Sequence, residues 1–237
     1  MRNAIRAACK SAIRGAAILA VASLGTVGPA LAVDPALYAT MDQDGLAPYI
    51  EAAEAAIAED PNDLDALRTL GIAHHNLGSI EVGGAPSAAQ EYLERVLEID
   101  PDDQMARAYL GSATTMRARD SWNVITRVSN ANRGIALIDE AVRADRDNIR
   151  LRLLRANHSY SLPDMFERHT IALDDFRMAV DRMEEEIGSS PEAIAQIHVK
   201  IAELTPDREE EETHLERAID LAPDSEWGER AQEALNQ

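Results

Sequence analysis

From Asn148 to Ala179 apolar positions recur with a helical period, break at Leu162-Pro163, and resume with Ala172, Phe176 and Ala179 on one face. The pattern predicts two helices and a tight corner between them. Small residues on either side of Phe176 let a neighbouring helix approach closely, while the ring fills the space that remains. A lone hairpin leaves its apolar face in water, so this one needs similar hairpins stacked against it.

The same grammar runs along the chain. Val33 to Gly45 holds a turn or short helix initiated by Pro35 and a polar break at Asp42-Gln43-Asp44-Gly45. Leu46 to Glu59 is alanine-rich, with Tyr49, Ala53, Ala56 and Ile57 on one side, and ends at Asp60-Pro61. Asn62 is the expected N-cap of a helix that runs to Leu77 and stops at Gly78. Ser79 to Pro86 has no period and predicts a loop. Ser87 with Gln90 forms a capping-box signal for a helix to Ile99, closed by Asp100-Pro101.

A fixed interval ties these hairpins together. Pro61 to Gly71 is ten residues and Pro101 to Gly111 is ten, with Leu70 and Leu110 before the glycines; Arg146 to Ala156 repeats the interval. Leu70-Gly71 is followed by Ala89, Leu93, Val96 and Pro101, and Leu110-Gly111 by Gly134, Ile138 and Ala141. Ala156 is followed by Ala172, Phe176 and Ala179. This arrangement resembles the tetratricopeptide repeat (TPR), a helix-turn-helix unit of about 34 residues with Leu-Gly in its first helix, Ala-x3-Phe in its second and Pro at its end. The chain resembles a divergent, exported bacterial member of that family. A weaker last unit runs from Pro191 to Leu204 and on through Leu215, Ala218 and Pro223, with Asp224 to Leu235 as a capping helix. The resemblance implies an all-α fold, an α-α superhelix of about four hairpins with a C-terminal capping helix. Two departures stand out. Gly111 to Arg146 is 35 residues where the family has about 24, an insertion placed around Met116 to Arg133, and Arg146 replaces the expected proline.

Composition changes the picture at the N-terminus. Residues 1–32 hold Arg2, Arg6, Lys10 and Arg14, no acidic residue, an apolar run from Gly15 to Gly28 and then Ala30-Leu31-Ala32. That is a secretory signal-peptide pattern, with cleavage expected before Val33 and an exported, periplasmic or secreted protein as its consequence. An organellar transit peptide is the alternative, disfavoured because the run is a block without amphipathic spacing. The run falls short of the about 20 residues a membrane span needs, so no span is expected after cleavage. Residues 33–237 then form a single TPR-like domain. They lack cysteine, the only one being Cys9, so no disulfide framework exists and packing must hold the fold. The whole chain carries a formal charge of −19; the leader takes four basic residues with it, leaving 19 basic against 42 acidic, a net of −23. Such a charge argues against nucleic acid and generic anionic-lipid binding and favours a monomer.

Signals for chemistry are sparse. His74, His75, His158, His169, His198 and His214 show no H-E-x-x-H spacing, and adjacent His74 and His75 point apart on a helix. No phosphate loop, dinucleotide fingerprint or nucleophile elbow occurs, so no catalytic residue, metal site or cofactor is expected and the protein is read as a non-enzyme. Thr40 to Glu51 falls on an EF-hand-like register, but Thr40 stands where the first carboxylate belongs, and a polar helix start is the competing reading. The acidic runs Glu184–Glu186 and Glu209–Glu212 read as solvated helix faces. Between Arg107 and Arg155 ten arginines outnumber five acids. Two readings stay open there: pairing with acids of neighbouring repeats, or an anion-selective patch for a small anionic envelope ligand.

The resemblance also implies where a protein or peptide partner would sit, since the first helix of each repeat lines the family's concave groove. Carried through the ten-residue intervals, those positions are Arg68, His75 and Asn76, then Met105 and Thr115, then Arg150, Asn157 and Tyr160. The expected function is a scaffold or adaptor mediating protein–protein interactions in the cell envelope.

Overall fold

The structure, a computed structural model, describes residues 33, 37, 41–119, 122–185 and 190–236, so the leader lies outside the described residues. Ten α-helices follow one another among them: α1 Gln43–Glu59, α2 Leu64–Ser79, α3 Ala85–Ile99, α4 Gln104–Arg119, α5 Val124–Ala144, α6 Ile149–Ser161, α7 His169–Glu185, α8 Pro191–Leu204, α9 Arg208–Leu221 and α10 Glu226–Leu235. A 3-10 turn, Asp164–Phe166, joins α6 to α7. Helices α2/α3, α4/α5, α6/α7 and α8/α9 are the four hairpins, with α10 packed on α8 and α9 as the cap. The fold is all-α, built of helical hairpins.

Local sequence sets the corners. Asp63 and Asp103 each stand two residues after the proline that ends the preceding helix. Asp63 Oδ1 accepts from the backbone N–H of Asp65 and Ala66, and Asp103 Oδ1 from that of Ala106. Asn148, two residues after Arg146, does the same for Arg150 and Leu151, so losing the proline leaves the register intact. The first of these caps is one residue later than expected, Asp63 instead of Asn62, because Asn62 donates its own N–H to Asp60 in the turn. Two further boundaries differ. Helix α2 runs through Gly78, where a Cβ would come within 2.9 Å of Pro86 Cγ, so this glycine serves close packing and not a helix stop. Helix α3 begins at Ala85, after Gly84 in the left-handed region at φ 81°, with Pro86 in its first turn. Ser87 is inside that helix and caps nothing.

The insertion lengthens helices. Helix α4 extends to Arg119 and α5 starts at Val124, giving α5 21 residues. The seam between them survives because Gly111 meets Gly134: a Cβ on Gly111 would lie 2.6 Å from the Gly134 carbonyl oxygen and 2.8 Å from Ile138 Cγ1. A methyl on Gly134 would strike the Gly111 carbonyl, a backbone atom that moves only if the helices separate. Gly134→Ala is therefore expected to destabilise by about 1–3 kcal/mol despite alanine's better helix propensity. Gly83→Ala, where nothing lies within 4 Å, should stay within about 0.5 kcal/mol in the same denaturant melts.

Two compact units make up the chain, the first ending at Ile138 and the second beginning at Asp139, a boundary inside α5. The first has a core of Leu46, Leu67, Leu70, Leu93, Val96, Tyr109 and neighbouring alanines. In the second, Phe176 is fully buried among Leu153, Ala172, Ala179, Val180, Met183, Ile197 and Ile201. Every residue of α8 from Ala193 to Ala202 is buried, because α7, α9 and α10 surround it. Helix α8 nonetheless carries His198 and Lys200, and buried polar groups of that kind must find partners.

Candidate functional site

Partners for Lys200 come from three other helices of the second unit, α6, α7 and α10. Its ammonium donates to Asn157 Oδ1 on α6 at 2.6 Å. It stands 5.5 Å from the ring centroids of Tyr160 and Phe176 and 5.9 Å from that of Trp227 on α10. Burial pushes the Lys200 ammonium down to about 8, against the pull of Glu203. One turn along α8, Glu203 accepts from the Tyr160 hydroxyl and from Arg230, whose guanidinium also lies over Trp227 at 5.3 Å. Donors thus meet a carboxylate at the edge of an aromatic box. Of the positions expected from sequence, Asn157 and Tyr160 are brought together here, both half-buried, and Arg150 lies half-buried on the same helix, α6.

The first-repeat positions behave differently. His75 and Asn76 are 2% and 0% exposed, so neither lines a surface for a partner, contrary to the expectation. Asn76 Nδ2 donates to the Leu37 carbonyl at 2.9 Å and its Oδ1 faces His75 Nδ1 at 3.1 Å. His75 Nε2 faces Ser112 Oγ at 2.9 Å, and the ring sits edge-on to Tyr109. One proton arrangement satisfies all three contacts: Nδ1–H donates to Asn76 and Nε2 accepts from Ser112. The pair is a polar tie in the core. Arg68 is committed as well, to Asp103, to Asp100 at 3.1 Å and to Asp65 at 3.5 Å. Met105 is half-buried at the start of α4, and Thr115 donates to the Gly111 carbonyl beside the glycine seam.

Ion pairs account for three arginines near the predicted patch. Asp175, fully buried, accepts from Arg152 at 2.8 Å and from Arg155 at 2.6 and 2.9 Å. Asp139 accepts from Arg168 through both oxygens, at 2.9 and 2.6 Å, and lies 3.5 Å from Arg155. These forks are bidentate or shared and hold α5, α6 and α7 together within the second unit. The Asp42 region is a helix start: Asp42 Oδ1 accepts from Gly45 N–H and caps α1. Among the described residues no group of three or more His, Cys, Asp or Glu side chains converges on a metal position.

Sequence reasoning passes over a second polar cluster. His198 Nδ1 lies 2.7 Å from His214 Nδ1, and His198 Nε2 lies 3.3 Å from Glu184 Oε1, which also accepts from Arg217. Burial pushes both imidazoles below their ordinary value, against the attraction of Glu184 for His198 and of Glu210 for His214. Neutral rings fit the geometry: His198 donates to Glu184 and accepts from His214. The signal in the sequence is a histidine between Ile197 and Val199 on α8.

No protein-family profile matches the chain, and no curated protein matches it. Among solved structures it is similar to the crystal structure of a thermophilic TPR protein in Thermus thermophilus, with a TM-score of 0.60 and 18% sequence identity over 82% of this chain and 94% of that one. No helix among the described residues is long and apolar enough to cross a membrane. The four hairpins, the glycine seams and the capping helix are those of a tetratricopeptide-repeat fold.

Proposed function

We propose that this chain is an exported TPR scaffold that captures a protein or peptide partner in the cell envelope through the α6 side of its second unit. The observation that supports the reading most is the convergence of Asn157, Tyr160, Lys200, Glu203 and Arg230 at one place on a fold whose hairpins present helix faces in series. Lys200 is buried and serves to fix Asn157, and Tyr160 and Arg230 hold Glu203, so a partner would meet Asn157, Tyr160, Glu203 and Arg230 already oriented before it arrives. The rival reading, a small anionic ligand on the arginine patch, loses Arg152 and Arg155 to Asp175 and Asp139.

The test compares capture of envelope protein by the wild type, Arg150→Ala and Tyr160→Phe. Phenylalanine is the change chosen at Tyr160 because the ring packs edge-on against Phe176 at 6.2 Å and removing it would open the core. Both variants are expected to weaken capture about fivefold or more while the melting temperature stays within about 2 °C. Full capture by both, with loss on Arg133→Ala, would move the site to the insertion.

A further inference from the structure

Helix α5 begins with an apolar projection that the scaffold reading leaves unused. Trp122 is 93% exposed, Ile125 81% and Val124 65%, so three large apolar side chains stand in water within four consecutive residues. Asn123 Oδ1 accepts from the N–H of Ile125 and Thr126, which fixes the first turn of α5 and holds these side chains on a formed helix start. Scattered exposed apolar residues need no explanation, but a contiguous cluster led by a tryptophan does.

Charge indicates what covers it. Helix α5 has no acidic residue before Asp139 and carries Arg127 and Arg133, both exposed; in the sequence Asp120 precedes Trp122 by two residues and Arg117 and Arg119 stand just before it. This happens in a protein whose formal charge is −19. A cationic, acid-free helix start with Trp, Val and Ile projecting from it has the composition of a segment that lies in an anionic lipid interface. Tryptophan seats its amphipathic ring at headgroup level, the aliphatic pair enters the acyl boundary, and arginine heads remain with phosphate. Side chains that project this far into water suit a deformable bilayer surface, which accepts them without a matching pocket. The acidic remainder of the molecule repels the same surface, but this repulsion is screened beyond about 8–10 Å, so it orients the molecule with α5 foremost and does not forbid the contact.

We infer that the start of α5, through Trp122, Val124, Ile125 and Arg127, is a peripheral docking surface for anionic phospholipid membranes. The contact inserts side chains at one helix end and involves no spanning segment. It stands on the exposed apolar cluster and the arginines of α5, and is independent of the proposed partner site on α6.

Trp122 and Trp227 are the only tryptophans, so Trp227→Phe makes emission report Trp122 alone. The full chain also carries the apolar leader run, which would hold vesicles by itself; the readout is therefore the Trp122 environment and its change between variants. With vesicles of phosphatidylglycerol and phosphatidylcholine in equal parts, Trp122 emission is expected to shift to the blue. Half-saturation should come at roughly tenfold less lipid than with phosphatidylcholine alone, as two surface arginines would give. Ile125→Asp and the pair Arg127→Glu with Arg133→Glu should abolish the difference. Should Trp227→Phe disturb folding, quenching of the wild type by bromine-tailed phosphatidylglycerol, compared with Ile125→Asp, reads the same insertion. An unchanged spectrum with both vesicle types overturns the inference, as does equal binding to the two. A blue shift that appears without vesicles as protein concentration rises would show that a second copy covers the patch, and would overturn it too.

Discussion

Phe176→Ala should lower the unfolding free energy by about 3–5 kcal/mol, the range for a large buried aromatic cut back to alanine. The ring is fully buried between Ala172 and Ala179, and its neighbours come from α6, α7 and α8. Backbone approach at the two alanines fixes the helix spacing, so the surroundings collapse little into the vacated volume. Two polar groups are also affected. Tyr160 loses its edge contact and Lys200 loses one face of its aromatic box. Phe176→Leu, which keeps most of the volume but not the ring, should cost less, about 1–2 kcal/mol. The check is a pair of urea melts with unchanged m-values; a loss below about 1 kcal/mol for alanine would mean that the ring is not the keystone of this hairpin.

The hairpins are legible in the sequence because what encodes them is local. Helical period, proline after one helix and a side-chain cap two residues later all act within about one turn, and the ten-residue interval survives even where Arg146 replaces proline. Boundaries mislead where a residue serves a distant contact. Gly78 looks like a helix stop but is small because Pro86 lies against it. The site is harder to read for the same reason. His75 and Asn76 fall on the family's groove positions, yet they are buried because Ser112 and the Leu37 carbonyl, 37 and 39 residues away, complete their hydrogen bonds. Whether a polar residue on a helix is surface or core depends on such partners, which no periodicity reveals. Lys200 is the opposite case. As the only lysine after the leader it reads as an accident of composition, although its place between Ile197 and Ile201 on an apolar helix is the available signal that it is buried. Asn157 and Tyr160, carried to α6 by the same register, stay half-buried, whereas their counterparts in α2 lie in the core.

Acid should weaken the fold well above the range where carboxylates titrate. Burial pushes His75 down to about 4, with Asn76 opposing only in part. In the unfolded chain the same imidazole takes its proton near 6.5. Between these values the unfolded state binds a proton that the folded state refuses, so stability is complete above about pH 6.5 and falls as the pH drops toward 4. At about 1.4 kcal/mol per unit, His75 alone accounts for a loss of roughly 3 kcal/mol by pH 4. His74, His198 and His214 are shifted in the same direction by burial and add to the slope. In the second unit the limit is also geometric: two imidazoles 2.7 Å apart share one proton between their Nδ1 atoms, and a second proton there would drive the rings and their helices apart. Glu184 and Glu210 do not blur the window. Burial raises them, but hydrogen bonds, from Arg217 and His198 to Glu184 and from Thr205 and Arg177 to Glu210, hold both below their ordinary value, so their contribution is lost only at still lower pH. Urea melts at intervals from pH 7.5 to pH 4.5 should therefore show a continuous decline in stability. His75→Gln starts from a lower stability at neutral pH but should decline less steeply, because the residue that refuses the proton is gone. An equal slope in wild type and His75→Gln would place the acid sensitivity elsewhere and show that His75 takes its proton in the folded state without loss.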